Sequence, residues 1–139
     1  MARNSGKYLE DALEKELKKN TNINQHWRRL HDGRAAKTFM PAQPSDFFLC
    51  IGGKAIHLEC KSQASKTRRF KKFDQLPALQ RWHSAGVAGY VLIHFHDIDE
   101  LFLVNVDDLK TGEPSWLMGD VLHFRIDTIK DALEILRWK

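Results

Sequence analysis

A tight turn between two predicted strands constrains the fold of this chain more than any other feature. Residues 46–51 are mostly apolar and aromatic, the Gly-Gly pair at 52–53 provides a two-residue turn, and residues 55–61 continue as a second strand. With the turn centred between the glycines, each residue i lies opposite residue 105 − i. This register places Asp46, at the start of the first strand, opposite Glu59 on the second.

Side chains on the second strand alternate between its two faces. The apolar face, which we expect to contact the core, carries Ile56, Leu58 and Cys60. The opposite face carries His57, Glu59 and Lys61. We therefore expect this polar face to line a solvent-filled cleft that Asp46 enters from the neighbouring strand.

Two carboxylates on neighbouring strands indicate a site for a hard divalent cation. Asp46 and Glu59 offer oxygen ligands and leave positions for water and a phosphate, and the Cys60 carbonyl would add a third oxygen. Lys61 would hold the attacking water or the charge that develops on the phosphorus oxygens. The alternative is a surface ion pair of Lys61 with one carboxylate, which contributes little to stability.

The charges are distributed unevenly along the chain. Residues 1–72 carry 16 basic and 7 acidic side chains, a balance of +9, whereas residues 73–139 carry 6 basic and 11 acidic side chains, a balance of −5. This asymmetry favours a polyanionic partner, and nucleic acid fits better than a membrane surface because no basic amphipathic helix with an aromatic face is present. We expect phosphate contacts from a basic run; the alternative is a solvated loop. The run comprises Lys66, Arg68, Arg69, Lys71 and Lys72.

The rest of the sequence predicts one α/β (α+β) domain over residues 1–139. Apolar residues at helical spacing and capping residues predict helices at 5–20, 74–84 and 127–138. Alternating or apolar runs predict further strands at 87–96, 101–106 and 121–126. Residues 23–39 show no clean period, and residues 62–72 are expected to be a polar connection.

Two further polar residues are candidates for the same cleft. Glu10 lies on the polar side of the first helix and would complete the acidic site if that helix packs against the hairpin. Gln75 lies at the start of the second helix and would fix the attacking water or a ligand. In each case the alternative is an ordinary surface side chain, such as a carboxylate paired with a lysine on its own helix.

Several classes of protein are disfavoured. The chain shows no charged-then-apolar leader, and its longest mostly apolar stretch, residues 85–93, is far too short to cross a bilayer. Cys50 and Cys60 do not make a disulfide framework and indicate buried thiols in a reducing compartment. We therefore expect a cytoplasmic protein, of a bacterial cell or of a phage in its host, without a membrane partner.

The motifs together resemble a known pattern. Gly6-Lys-Tyr-Leu-Glu10, Ser45-Asp46, Glu59-Cys60-Lys61 and Gln75 are similar in order to those of the PD-(D/E)xK nuclease superfamily. Within it, the sequence resembles RecU-type Holliday junction resolvases, including the short forms carried by phages, over roughly residues 5–105. Two departures are that Ser45 replaces the motif's proline and that Asp74 precedes Gln75 where the family often has histidine.

The resemblance implies a restriction-endonuclease-like core, with a central mixed sheet flanked by helices, and resolution of four-way DNA junctions by metal-dependent phosphodiester hydrolysis. It implies that Lys61 assists catalysis, that Gln75 supports the site and that Mg²⁺, with Mn²⁺ as a substitute, is held by Asp46, Glu59, Cys60 and Glu10. Because a junction is cut on two strands, a homodimer is expected, with Phe102, Trp116 or Trp138 as interface candidates. The alternatives are a VRR-Nuc-like, nicking, restriction or homing endonuclease of the same fold, or a catalytically inactive DNA-binding module.

Overall fold

The computed structural model describes residues 6–19, 25–30 and 43–138. Its helices are α1 (Gly6–Lys19), α2 (Leu76–Ser84) and α3 (Ile129–Trp138). Its strands are β1 (Gln25–Arg29), β2 (Phe47–Ile51), β3 (Lys54–Gln63), β4 (Arg69–Lys71), β5 (Ala88–Phe95), β6 (Glu100–Asn105), β7 (Ser115–Leu117) and β8 (Phe124–Ile126). Within these residues, no helix is long and apolar enough to cross a membrane.

Six of the strands form one mixed sheet in the order β1-β2-β3-β5-β6-β8. The β3–β5 pair is parallel, with α2 in the connection between the two strands, and the other neighbouring pairs are antiparallel. The two short strands β4 and β7 pair separately. The mixed sheet flanked by helices that the motifs predict is therefore present.

The β2–β3 hairpin has the predicted register. Phe47 pairs with Leu58 and Ile51 with Lys54, so Asp46 lies one residue before the first pair of the ladder. Gly52 has φ +59°, and a Cβ atom there would clash with the Arg137 carbonyl oxygen of α3. Glycine at this position is required both by the turn and by the close approach of α3.

Two apolar layers cover the two faces of the sheet. On one face, α1 and α3 pack against the sheet through side chains such as Leu9, Leu13 and Leu133, and Cys60 belongs to this layer. On the other face, α2 packs through Leu79, together with the rest of a second buried cluster. The polar residues of β3 are on this second face. Their side chains therefore lie on the side of α2.

Several local expectations need correction. The sequence predicts none of β1, β4 and β7, and the strand expected over 121–126 is limited to β8, which begins only at Phe124. β1 is a polar edge strand, and β4 and β7 have three residues each, too few to show a period. The proposed first and last residues of the first helix, Ser5 and Asn20, lie outside the described residues.

The exposure of individual side chains also differs from expectation. Cys50 is exposed, whereas Cys60 is buried, and both thiols are free. Cys50 lines a surface cavity together with Arg28 and Phe48. Phe102 and Trp116 are buried in the core and therefore cannot supply a subunit interface, whereas Trp138 is exposed.

Candidate functional site

The Asp46 carboxylate is held at the open end of the β2–β3 hairpin. Its Oδ2 atom accepts a hydrogen bond from the Cys60 backbone N–H at 2.8 Å. The side chain thus occupies the place of the next ladder partner beyond the Phe47–Leu58 pair. Because the N–H and C=O of one strand residue point to the same side, the Cys60 carbonyl faces the same side of β3 as Asp46.

Glu59 is a buried carboxyl group next to Asp46. Its side chain is 2% exposed, its Oε2 atom lies 3.3 Å from Lys61 Nζ, and its buried Oε1 atom has no hydrogen-bond partner in the described part of the chain. Burial and the adjacent Asp46 raise the pKa of Glu59 to about 8, although Lys61 opposes the shift. At neutral pH the pair therefore favours one shared proton, or a cation in its place.

Lys61 projects from the same face of β3 as Glu59. Its side chain is 27% exposed, so the ammonium group reaches solvent while it remains paired with Glu59. The Nζ atom also lies 5.3 Å from the centre of the Phe73 ring, just before α2. These two contacts hold the Lys61 ammonium group between Glu59 and the Phe73 ring.

Glu10 approaches the site from α1. Burial and the charge of Asp46 raise its pKa, although Arg29 opposes the shift. Glu10 is, however, paired with Arg29 of β1, whose Nη2 atom lies 3.5 Å from Glu10 Oε1. Arg29 also binds Asp11 at 2.8 Å and Glu14 at 3.0 Å. Sequence reasoning missed Arg29 because β1 itself has no recognisable period.

A cleft of about 610 Å³ joins the hairpin to the N-terminus of α2. Asp46, Glu59 and Gln75 all line it, and Gln75 is the residue that precedes the first turn of α2. The other described residues that line the cleft are Leu30, Gln43, Pro44, Ser45, Asp74, Ala78 and Trp82. Three of the predicted site residues thus meet in one cavity.

Ser45, which replaces the motif's proline, forms a buried hydrogen-bond link to β3. Its Oγ atom lies 2.8 Å from the Phe47 carbonyl oxygen, to which it donates, and 2.9 Å from His57 Nδ1. Burial lowers the pKa of His57, which favours the neutral imidazole. These bonds tie the residue before Asp46 to the opposite strand, a fixing role that proline would otherwise fill by its restricted backbone.

The basic run lies in the connection between β3 and α2. Gln63 binds the backbone of Lys71 through both of its amide atoms, at 3.0 and 3.4 Å, which attaches β4 to the end of β3. Arg68 is already bound in a fork by Glu100, and Arg69 donates to Ser115 at 3.0 Å. The predicted phosphate contacts therefore rest mainly on the remaining exposed cations of the run, which are Lys66, Lys71 and Lys72.

The oxygen atoms available at the site suit a hard divalent cation, but few acidic side chains contribute them. Among the described residues, no group of three or more His, Cys, Asp or Glu side chains lies in an arrangement that could hold a metal ion. The acidic part of the site is thus the Asp46–Glu59 pair, and the buried, unpartnered Oε1 of Glu59 is the observation that fits a cation. The Cys60 carbonyl would supply backbone oxygen, whereas its buried thiol faces the opposite layer.

Comparison with known proteins agrees with this geometry. The family model described as recombination protein U, RecU, matches residues 4–138. The chain belongs to the RecU family. This membership confirms the family predicted from the motifs, and the match extends through the C-terminal third, which carried no motif. A comparison of the RecU-family chain with curated proteins finds no match.

The fold of the RecU-family chain is similar to that of a solved archaeal structure. Archaeoglobus fulgidus Hjc, a Holliday junction resolvase from a hyperthermophile, aligns with a TM-score of 0.53 and 16% sequence identity. The alignment covers 94% of this chain and 93% of the Hjc chain. At this identity the similarity establishes the fold alone, and it agrees with the core that the family resemblance implies.

Proposed function

We propose that this RecU-family protein is a Holliday junction resolvase, an endonuclease that hydrolyses phosphodiester bonds at four-way DNA junctions with the help of a divalent metal ion. The observation that carries the proposal is the Asp46–Glu59 pair, in which a buried carboxyl oxygen without a partner adjoins a second carboxylate. A pair of this kind is costly without a proton or cation. The presence of such a costly pair in a cleft indicates a functional site, because the pair does not stabilise the fold.

Asp46, Glu59 and the Cys60 carbonyl would hold the ion, and Glu10 of α1 would act as an outer ligand. Mg²⁺ is the expected metal because the donors are all oxygen atoms, and Mn²⁺ is expected to substitute. When bound, such an ion supplies Lewis-acid polarisation of a phosphoryl oxygen and lowers the pKa of water.

The protein's own groups would orient the reactants and stabilise charge. Lys61 places a cation next to Glu59, where it would stabilise negative charge on the phosphoryl oxygens in the transition state. Gln75 would hold the attacking water through its side-chain amide, and the N-terminus of α2 would favour an anionic phosphate. The attacking water would lose a proton to solvent as it forms the new P–O bond, and the leaving oxygen would take up a proton from solvent as its bond to phosphorus breaks.

The substrate and assembly follow from the geometry of a junction. Resolution requires cuts on two strands of like polarity, so two copies of this site related by a two-fold axis would act together. The basic run beside the cleft would contact the phosphate backbone of the arms. A role in recombination places the protein with the chromosomal or phage DNA, in the bacterial cytoplasm.

The proposal is tested with a labelled four-way junction and a linear duplex of the same arm sequence, each with Mg²⁺ or EDTA. We expect paired cuts near the junction centre in Mg²⁺, none in EDTA, and none with Asp46→Asn. Asp127→Asn, at an exposed residue just before α3, is the matched control and should cut normally. Cutting of the linear duplex alone would contradict the junction substrate. Junction binding without cutting would contradict the enzyme.

A further inference from the structure

A second concavity adjoins the cleft on the same face of the sheet. It has a volume of about 410 Å³ and is lined by residues of β1 and β2, by His57 of β3 and by Trp82 of α2. Trp82, Pro44, Leu30 and Gln43 line both cavities, so the two lie next to each other. We refer to this second concavity as the aromatic groove.

The walls of the aromatic groove are flat rings. The ring centres of Phe48 and His57 lie 5.0 Å apart, and those of His57 and Trp82 lie 5.1 Å apart. His57 is itself buried and hydrogen-bonded to Ser45. Trp82 nevertheless remains 45% exposed, so much of its indole ring is available for another flat group.

The charge of the aromatic groove is opposite to that of the cleft. His26 and Arg28 lie on its β1 side, and none of its described lining residues is acidic. The neighbouring cleft, by contrast, contains Asp46, Glu59 and Asp74. A ligand that enters both cavities would place a flat apolar part against Trp82, an anion near Arg28, and a phosphate with a cation at the carboxylates.

A nucleotide has this combination of groups. We propose that the aromatic groove accepts an unstacked base of a nucleotide that flanks the scissile phosphate, with the base stacked on Trp82. The inference rests on the proposed function, because the scissile phosphate must lie at Asp46 and Glu59. A base at a branch point has already lost part of its stacking, so it leaves the helix at less cost than a base within a duplex. The groove would thus contribute to the preference for junctions over linear DNA.

The test is a double-substitution cycle on the full chain and a junction of fixed sequence, measured as binding in EDTA so that no cutting is needed. Trp82→Leu keeps apolar bulk but removes the ring. On the intact junction we expect Trp82→Leu to weaken binding by about 5- to 150-fold, the range for loss of one stacked base. The same measurement is made on two further junctions, each with an abasic site at one of the two nucleotides that flank the cut. On one of these two junctions, Trp82→Leu should not weaken binding further.

Controls separate this inference from a folding defect and from the proposed function. Trp82→Phe should bind nearly as well as the wild type because it keeps a ring, and Leu122→Ala, an exposed apolar residue elsewhere, should bind normally. Equal losses of affinity in Trp82→Leu for intact and abasic junctions, or no loss of affinity for any junction, would overturn the inference. So would a change from dimer to monomer in sedimentation of Trp82→Leu, which would make the groove a subunit interface. Cutting of the junction by the wild type in Mg²⁺ tests the proposed function separately.

Discussion

The Asp46 carboxylate accepts the Cys60 amide hydrogen bond at 2.8 Å, one residue beyond the end of the β2–β3 ladder. The Asp46 side chain therefore takes the place of a backbone carbonyl as the partner of the Cys60 N–H. This hydrogen bond fixes one carboxylate oxygen of Asp46 on β3 and leaves the other oriented within the cleft next to Glu59. The position of the acidic pair is thus a direct consequence of hairpin register.

Replacement of Glu59 by glutamine should stabilise the metal-free protein at alkaline pH. The folded-state pKa of Glu59, about 8, lies above its ordinary value near 4.5, so the folded state holds this proton more tightly than the unfolded state. The stability of the wild type should therefore fall as pH rises between these two values. At pH 8 we expect Glu59→Gln to be more stable by roughly 2–4 kcal/mol, after allowance for coupling to Asp46.

This difference is measured by urea unfolding in EDTA at pH 5 and pH 8. Glu134→Gln, on the half-exposed side of α3, is the matched control and should leave the pH dependence unchanged. The same Glu59→Gln protein should have no nuclease activity, which separates stability from function. A pH dependence identical in Glu59→Gln and wild type would show that Glu59 carries no raised pKa.

Removal of Arg29 should destabilise the fold by separating β1 from α1. The 17%-exposed guanidinium binds three carboxylates of α1, those of Glu10, Asp11 and Glu14. We expect Arg29→Met to lower the free energy of unfolding by about 1–3 kcal/mol, because three carboxylates lose their common partner. Arg28→Met, on the opposite face of β1, is the control in the same thermal and urea unfolding series. Equal effects of the two substitutions would rule out a special role for Arg29.

The lysines of the basic run should control the salt dependence of DNA binding. Lys71→Ala should weaken binding to junction and duplex alike and reduce the slope of log affinity against log salt by about 1, as expected for one phosphate contact. Arg68→Ala should change the slope less, because Glu100 already binds its guanidinium in a fork. Lys130→Ala on α3 serves as the control in a fluorescence anisotropy titration over salt. An unchanged slope for Lys71→Ala would remove the basic run from the DNA interface.

The residues that could be predicted from the sequence are those whose position depends on local periodicity. The Gly-Gly turn determines the register of β2 and β3, and strand alternation then places Glu59 and Lys61 on one face. Helical spacing likewise identified the buried leucines of α1. The family that these motifs predict is confirmed by the RecU match.

The residues that could not be predicted depend on contacts between distant parts of the chain. Arg29 lies on a five-residue polar edge strand, where few apolar positions mark the period. The pairing of Arg68 with Glu100 joins residues 32 positions apart, and no local pattern indicates that a cation of the basic run is already engaged. The aromatic groove likewise arises from β1, β2 and α2 together, so it has no linear signature.

The most direct test of the cation site is the number of protons released when Mg²⁺ binds to the metal-free protein at pH 7. Calorimetric titrations in buffers of different ionisation enthalpy measure this number. Because Glu59 holds a proton at this pH and must lose it to act as a ligand, we expect release of close to one proton in the wild type. Glu59→Gln should release almost none and bind weakly. Tight Mg²⁺ binding by the wild type without proton release, or no binding at all, would contradict the proposed metal centre at Asp46 and Glu59.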